Sequence, residues 1–199
     1  MPRISDEAKE VRRITILQAA LECFAEKGYY ASTVDDIVDF ANLSKGTVYN
    51  YFDSKEDIFI GILQHEQQKT NEKLQANLQT IKSPLEKLKY WINTDIPYSL
   101  KKKKLMRVHV EFWLYSTGSK DVQYILTERF DAIFNMVKEI IQEGQQLGEF
   151  NKDIDPERAA EMFWSLHDGI WLHAVIGYEE EKLEKNITEM EKALLAYLL

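Results

Sequence analysis

The chain has 199 residues, of which 45% are hydrophobic and 29% charged, values that exclude a disordered tail and allow a sizeable buried core in one domain or two small ones. One cysteine, Cys23, rules out an internal disulfide and suits a reducing compartment, and no run of about 18 apolar residues is present to span a membrane. A net charge of −8 excludes a broad positive field for nucleic acid. Even residues 1–56 hold seven Lys and Arg against ten Asp and Glu. The opening MPRISDEAKEVRR has charges but no apolar stretch, so no secretory leader is expected and the cytoplasm is the expected location.

Residues 6–27 place Leu17, Ala20, Leu21 and Phe24 on one stripe, predicting an amphipathic helix that Gly28 stops. Arg3, Arg12 and Arg13 are either phosphate or minor-groove contacts or solvated surface charge. Thr33 then caps a short helix, with Asp36 completing a capping box and Ile37 and Ala41 facing inward. Asn42 tolerates the left-handed turn, Leu43 plugs it, and Ser44 caps a second helix with Val48 and Phe52 on its inner face. Its outer face is left with Lys45, Gly46, Thr47, Tyr49, Asn50 and Tyr51, and residues 43–52 contain no acid. Two short helices around a tight turn, the second polar and aromatic outside, form the layout of a DNA-reading helix-turn-helix.

Ser54 to Asp57 make another capping box, opening a helix to about Lys82. Its apolar residues cluster at Ile58, Phe59, Ile62 and Leu63, lapse through HEQQKTNEK, and resume at Leu74, Leu78 and Ile81. The first half is expected to pack on the DNA-reading head and the second on the remaining body. Ser83-Pro84-Leu85-Glu86 starts a helix carrying Leu88, Trp91 and Ile92, which Pro97 should kink or end. Lys101–Lys104 read as a solvated helix start or as a nucleic-acid or membrane contact. Residues 105–117 hold Met106, His109, Val110, Phe112, Trp113 and Tyr115 before Gly118-Ser119 breaks the pattern.

The spacing Leu126, Phe130, Ile133, Val137, Ile140 predicts an amphipathic helix over 120–147, ended by Gly148. Asp155-Pro156 caps the next, 156–176. One face there has Ala159, Phe163, Leu166, Ile170 and Ala174, and the adjacent face Ala160, Trp164, His167, Trp171 and Val175. A helix apolar on both sides must be buried on both. A second subunit is the expected cover, with Phe163, Trp164, Ile170, Ala174, Met190 and Leu194 at a dimer interface. The last helix is expected over 182–199. No strand-like alternation occurs anywhere, so the fold class is all-α.

SKGTVYNYFDSKEDI, preceded by AALECFAEKGYYAST, resembles the signature of the TetR (TetR/AcrR) family of bacterial transcriptional regulators. The departures are mild: Val38 for the usual Ala, Asn42 for Gly and Tyr51 for His. The strong match covers residues 10–65, and GEFNKDIDPE looks like the family's link into its last helix pair. The resemblance implies a three-helix DNA-binding head over 1–53 and a helical ligand-binding and dimerisation body over 54–199. It further implies a homodimer on a near-palindromic double-stranded DNA operator, released by a small hydrophobic or aromatic effector, most often as a repressor. Thr33, Tyr49 and Lys55 are then expected on phosphates, Ser44 beside them, and Lys45, Thr47, Asn50 and Tyr51 on base edges, with Gly46 allowing close approach. The aromatic set Trp91, His109, Trp113, Phe130, Phe134, His167 and Trp171 reads from the residues alone as either core or cavity lining. The resemblance favours an effector pocket, where Glu111 or Asp168 beside tryptophan would suit a lipophilic cation. A body with a filled core would instead bind a protein partner.

No Gly-rich phosphate loop, HExxH, CxxC or nucleophile elbow occurs, so neither an enzyme nor a cofactor is expected. His167 and His173 are six apart and cannot share a helix face as metal ligands would, so no metal is expected.

Overall fold

The computed structural model describes residues 5–118 and 120–199, apart from the side chains of Asp121 and Arg129. Arg3 and Ser119 lie outside the described residues. All regular structure among those described is helical, in the order α1 Asp6–Lys27, α2 Val34–Ala41, α3 Lys45–Tyr49, α4 Lys55–Leu78, α5 Pro84–Tyr90, a π-helical turn Trp91–Asp95, α6 Ile96–Leu100, α7 Lys103–Ser116, α8 Lys120–Leu147, α9 Pro156–Val175 and α10 Glu180–Leu198.

The helix starts follow local chemistry. Ser5, Thr33, Ser44, Ser54, Ser83 and Asp155 each accept a first-turn backbone N–H, which satisfies an otherwise orphaned donor. At Thr33 the box is reciprocal: Asp36 accepts the Thr33 N–H at 2.8 Å while Thr33 Oγ1 accepts the Asp36 N–H at 3.1 Å. Asn42 sits at φ 51°, ψ 45°, the left-handed turn that separates α2 from α3. Proline at 97 neither ends nor sharply breaks its helix. The preceding turn widens to a π-helical one, with Ile96 N–H donating to Trp91 O, and α6 runs on to Leu100. α4 ends at Leu78, about a turn short of Lys82, where the chain loosens before Ser83.

Two apolar clusters organise the packing. The first joins Ile16, Leu17, Phe24, Ile37, Val48 and Phe52 of the head to Ile58, Phe59, Ile62 and Leu63 of α4, then to Leu105, Val108 and Phe112 of α7 and Val122 and Leu126 of α8. A cut at residue 53 would divide it. α1 and α4 approach closely because Gly61 has no side chain; an added Cβ there would lie 3.0 Å from Leu17 and 3.1 Å from Phe52. The second cluster fills the body with Leu74, Leu78, Leu88, Trp91 and Ile92 against Val137, Ile141, Phe163, Ile170, Met190 and Leu194.

This second cluster corrects the expected dimer interface. Phe163, Ile170, Ala174, Met190 and Leu194 are at most 5% exposed within one chain and belong to its own core. The doubly apolar helix α9 packs Phe163 and Ile170 into this core, and its second side, carrying Trp164, His167 and Trp171, lines a cavity of the same chain. The large apolar residues that stay exposed on the carboxyl-terminal helices are others: Leu147, Leu172, Ile176, Tyr197 and Leu199.

The turn after α8 is closed by the Phe150 ring, which lies over Gly144 where an added Cβ would overlap it. Phe150 is 3% exposed and part of the body core, so the ring cannot swing into water without loss. Gly144→Ala should therefore lower stability by about 1–3 kcal/mol, read as a lower urea midpoint at unchanged slope. An unchanged midpoint would show that the ring has a second place to pack.

Candidate DNA-reading face and effector cavity

The head presents α3 outward. Lys45, Gly46, Tyr49 and Asn50 are exposed, Thr47 is half-buried, and an added Cβ at Gly46 would meet no atom within 4 Å. Ser44 Oγ accepts the Thr47 N–H at 3.1 Å and lies 2.7 Å from Thr47 Oγ1, so Ser44 serves first as the cap of this helix. Tyr51 is half-buried and leans on the head's apolar cluster. Acids near the face are already engaged: Lys45 pairs with Asp35 at 2.7 Å and Lys27 with Asp36 at 2.6 Å. Lys27 and the Thr33 hydroxyl and N–H hold the Asp36 carboxyl far below the usual carboxylate range. Such exposed pairs contribute little to stability and exchange readily for a phosphate.

Lys55 departs from its expected place. Its ammonium turns inward, donating to Tyr29 O at 2.7 Å and Ser32 O at 2.8 Å, with the Tyr29 ring 4.3 Å away. Partial burial pushes its pKa below the ordinary lysine value. One N–H remains; the main task of this side chain is to tie the α1–α2 turn to the start of α4.

The same turn is held from the other side by α7. Glu111 accepts the Tyr29 N–H at 2.7 Å and pairs with Arg107 at 3.4 Å, and Arg107 donates to Ala25 O at 3.2 Å. Lys104 pairs with Glu22, and Tyr115 donates to Glu56. Glu111 thus joins body to head and is no part of an acidic subsite. The lysine run at 101–104 is divided, with Lys102 and Lys104 in ion pairs and Lys101 and Lys103 exposed.

Behind α7 lies a partly open cavity of about 130 Å³, lined by α4, the π-helical turn, α6, α7, α8 and α9. One ordered water needs about 10–15 Å³ of such space, so the cavity has room for a small molecule. All four tryptophans of the chain (Trp91, Trp113, Trp164, Trp171) line it. Trp91 meets Trp164 edge-on at 5.8 Å, His167 lies 4.8 Å from Trp164 and 5.3 Å from Trp171, and Trp113 sits 6.2 Å from Phe130. Trp171 Nε1 donates to Ser99 Oγ at 3.0 Å. Of the expected lining, Trp91, His109, Trp113, Phe130, His167 and Trp171 come together. Phe134 does not: one turn beyond Phe130 it has passed the end of the cavity and packs on the body core.

Glu66, Gln67, Thr70, Asn71, Asp95, Tyr98 and Lys102 line the cavity without having been expected there, as does Trp164. A signal for the α4 group existed. Positions 63, 66, 67, 70, 71 and 74 form one 3.6-residue stripe, continuous with Leu63 and Leu74 but polar in the middle. Asp168 Oδ1 lies 2.9 Å from His167 Nδ1, and Glu66 pairs with Lys102 at 3.5 Å. His173 stacks on Tyr178 at 4.3 Å, and no cluster of metal-binding side chains occurs among the described residues. Nor is any described helix long and apolar enough to cross a membrane.

Residues 16–62 match the model of the bacterial regulatory proteins of the tetR family, and residues 84–198 that of the BetI-type transcriptional repressor carboxyl-terminal domain. The HTH-type transcriptional regulator YfiR of Bacillus subtilis (strain 168) is 26% identical across 100% of this chain and 97% of its own length. The HTH-type transcriptional repressor KstR2 of Mycolicibacterium smegmatis is 31% identical over 81% of this chain and 77% of its own. Among solved structures, the regulator FadR from Bacillus subtilis in complex with stearoyl-CoA superposes with a TM-score of 0.83 at 24% identity, covering 92% of this chain and 97% of that one. Helix-turn-helix, all-helical body and both family models agree, and the chain belongs to the TetR family of DNA-binding transcriptional regulators.

Proposed function

We propose that this protein is a homodimeric repressor, acting in the bacterial cytoplasm, whose grip on a near-palindromic operator is released by a small molecule in the aromatic cavity. One observation carries the reading. Leu63, Leu105, Phe112 and Leu126 belong at once to the head's apolar cluster and to the cavity wall. A ligand that displaces the wall also displaces the packing that orients the head. The presence of stearoyl-CoA in the similar Bacillus subtilis structure supports a small-molecule effector for this chain as well.

On DNA, α3 would enter the major groove, with Lys45, Thr47, Asn50 and Tyr51 toward base edges and Thr33 and Tyr49 toward phosphates. Lys55 would act by fixing the turn that presents Thr33. Two heads would address half-sites about 34 Å apart. The dimer would form through the exposed apolar residues of the carboxyl-terminal helices, Leu172 and Ile176 among them, since the core residues of α9 and α10 are already committed.

The reading is tested by fluorescence anisotropy of DNA from upstream of the protein's own gene, with random DNA as competitor across a salt series. Competitor-resistant binding is expected, with log affinity falling by about 0.9 per phosphate neutralised for each decade of salt. Binding no tighter than to random DNA would remove this fragment as operator.

Gly46→Ala separates DNA contact from folding, because its Cβ meets nothing in the free protein. Stability should stay level or rise by up to about 1 kcal/mol, while operator affinity falls about tenfold or more. Unchanged affinity would place α3 farther from DNA than proposed. Asn50→Ala should relax preference at one base pair by about 1–3 kcal/mol, whereas Tyr49→Ala should weaken all sequences alike. Identical behaviour of the two across operator variants would refute the division of roles.

For the dimer, Leu172→Asp combined with Ile176→Asp should sediment as a folded monomer with normal helical circular dichroism. Retention of the dimer would move the interface elsewhere.

A further inference from the structure

The cavity combines two features that select a ligand by charge. Its rings are electron-rich faces: four tryptophans, Tyr98, Phe112 and Phe130. Its charged lining is mostly acidic, with Glu66, Asp95 and Asp168 against Lys102 among the described residues. These acids are not equivalent. Glu66 is countered by Lys102, and Asp168 is bonded to His167. Asp95 makes no ion pair and accepts no hydrogen bond among the described residues, although it lies at the π-helical turn between Trp91 and Tyr98. Burial pushes its carboxyl above the ordinary value; the more distant charges of His167, Lys73 and Lys102 act in the other direction without reversing it. Lys73 and Lys102 instead lie over the Tyr98 ring, at 3.6 Å and 5.1 Å.

We infer that the cavity takes an organic cation, a quaternary or protonated amine bearing an apolar or aromatic group, with Asp95 as its counter-charge and the tryptophans as its walls. The inference rests on the reading of this cavity as the effector site. A cation would give the Asp95 carboxylate a direct partner, which Lys73 and Lys102 do not, and gain cation–π attraction from the rings. A ligand carboxylate or phosphate placed here would stand beside Asp95 and Asp168, and like charges that close oppose binding. The same preference disfavours long-chain acids in this cavity, whatever similar folds accommodate.

Intrinsic fluorescence reports on the site directly, since every tryptophan lines it. The probes are benzyltrimethylammonium, its uncharged carbon isostere neopentylbenzene, and decanoate. Saturable quenching by the cation is expected at concentrations about tenfold or more below those the isostere requires, and decanoate should bind most weakly. Asp95→Asn should erase the preference for cation over isostere while leaving isostere binding and the thermal midpoint in place. Trp171→Phe, which keeps a ring, should weaken the cation less than Asp95→Asn does.

Equal or tighter binding of decanoate or the isostere overturns the assignment, as does a cation preference that survives Asp95→Asn or a lack of saturable quenching by the cation. The effector reading fails separately. Cation binding that depends on Asp95 but leaves the operator complex intact would keep the site and refute release. Decanoate that quenches and releases operator would keep release and refute the cation.

Discussion

The wall between cavity and head is the constraint on which the rest depends. α7 is shared between the two: Leu105 and Phe112 belong to the head's core and line the cavity as well, with Val108 packed into the head and His109 and Trp113 turned to the cavity. Because interiors are close-packed, a side chain with tight neighbours on one side cannot yield on the other without moving them. A free-standing head would be insulated from the body. Here the two share residues, so a ligand that moved the cavity wall would also move the packing against α1.

Polar contacts make that coupling specific to one place, the turn after α1. Lys55 holds two carbonyls of this turn from α4, and Glu111 holds the Tyr29 N–H from α7. Tyr29 itself stacks on Phe59 at 4.3 Å and meets Phe24 edge-on at 5.4 Å. Gly28, at φ 82°, supplies the backbone bend that lets both partners reach in. The Thr33 cap, and through it α2, begins four residues on. A shift of α7 thus arrives at the helix-turn-helix through hydrogen bonds to backbone, which are directional, as well as through apolar contact, which is not.

What could be read from the sequence divides along the range of the interactions. Caps and stops depend on residues three or four apart, and Thr33, Asn42, Ser44, Ser54, Ser83 and Asp155 all act as their local chemistry predicts. That the aromatic set is sheltered was legible, since tryptophans on amphipathic helices seldom face water, but the residues left core and cavity lining open and only the family resemblance favoured a pocket. The inward contacts of Lys55 were not legible because its partners lie 23 and 26 residues away, across a fold that no local pattern specifies. The two faces of α9 were recognised as buried, but periodicity says only that a face is dry. It cannot distinguish core, cavity wall and partner surface, and so Ile170 was assigned outward and Trp164 was kept from the cavity. The polar stretch of α4 was read only as a lapse in the apolar pattern, although the spacing of Glu66, Gln67, Thr70 and Asn71 continues the stripe of Leu63 and Leu74.

A ligand in this cavity can regulate only through a difference in affinity between two arrangements of the wall. Reversing a 99:1 preference for the operator-binding arrangement takes about 10⁴-fold tighter binding to the other one. The apolar lining alone supplies that difference poorly, because a ring resting on tryptophan finds similar contacts in either arrangement. A charge is more discriminating. The attraction between Asp95 and a cation depends on how far the surrounding helices exclude water, and Asp95 sits on the π-helical turn, next to Ile96 and in line with Trp91. Closure of α7 and α9 around the ligand would strengthen that pair and the cation–π contacts together. Of these two helices, α7 is the one whose other side packs against the head.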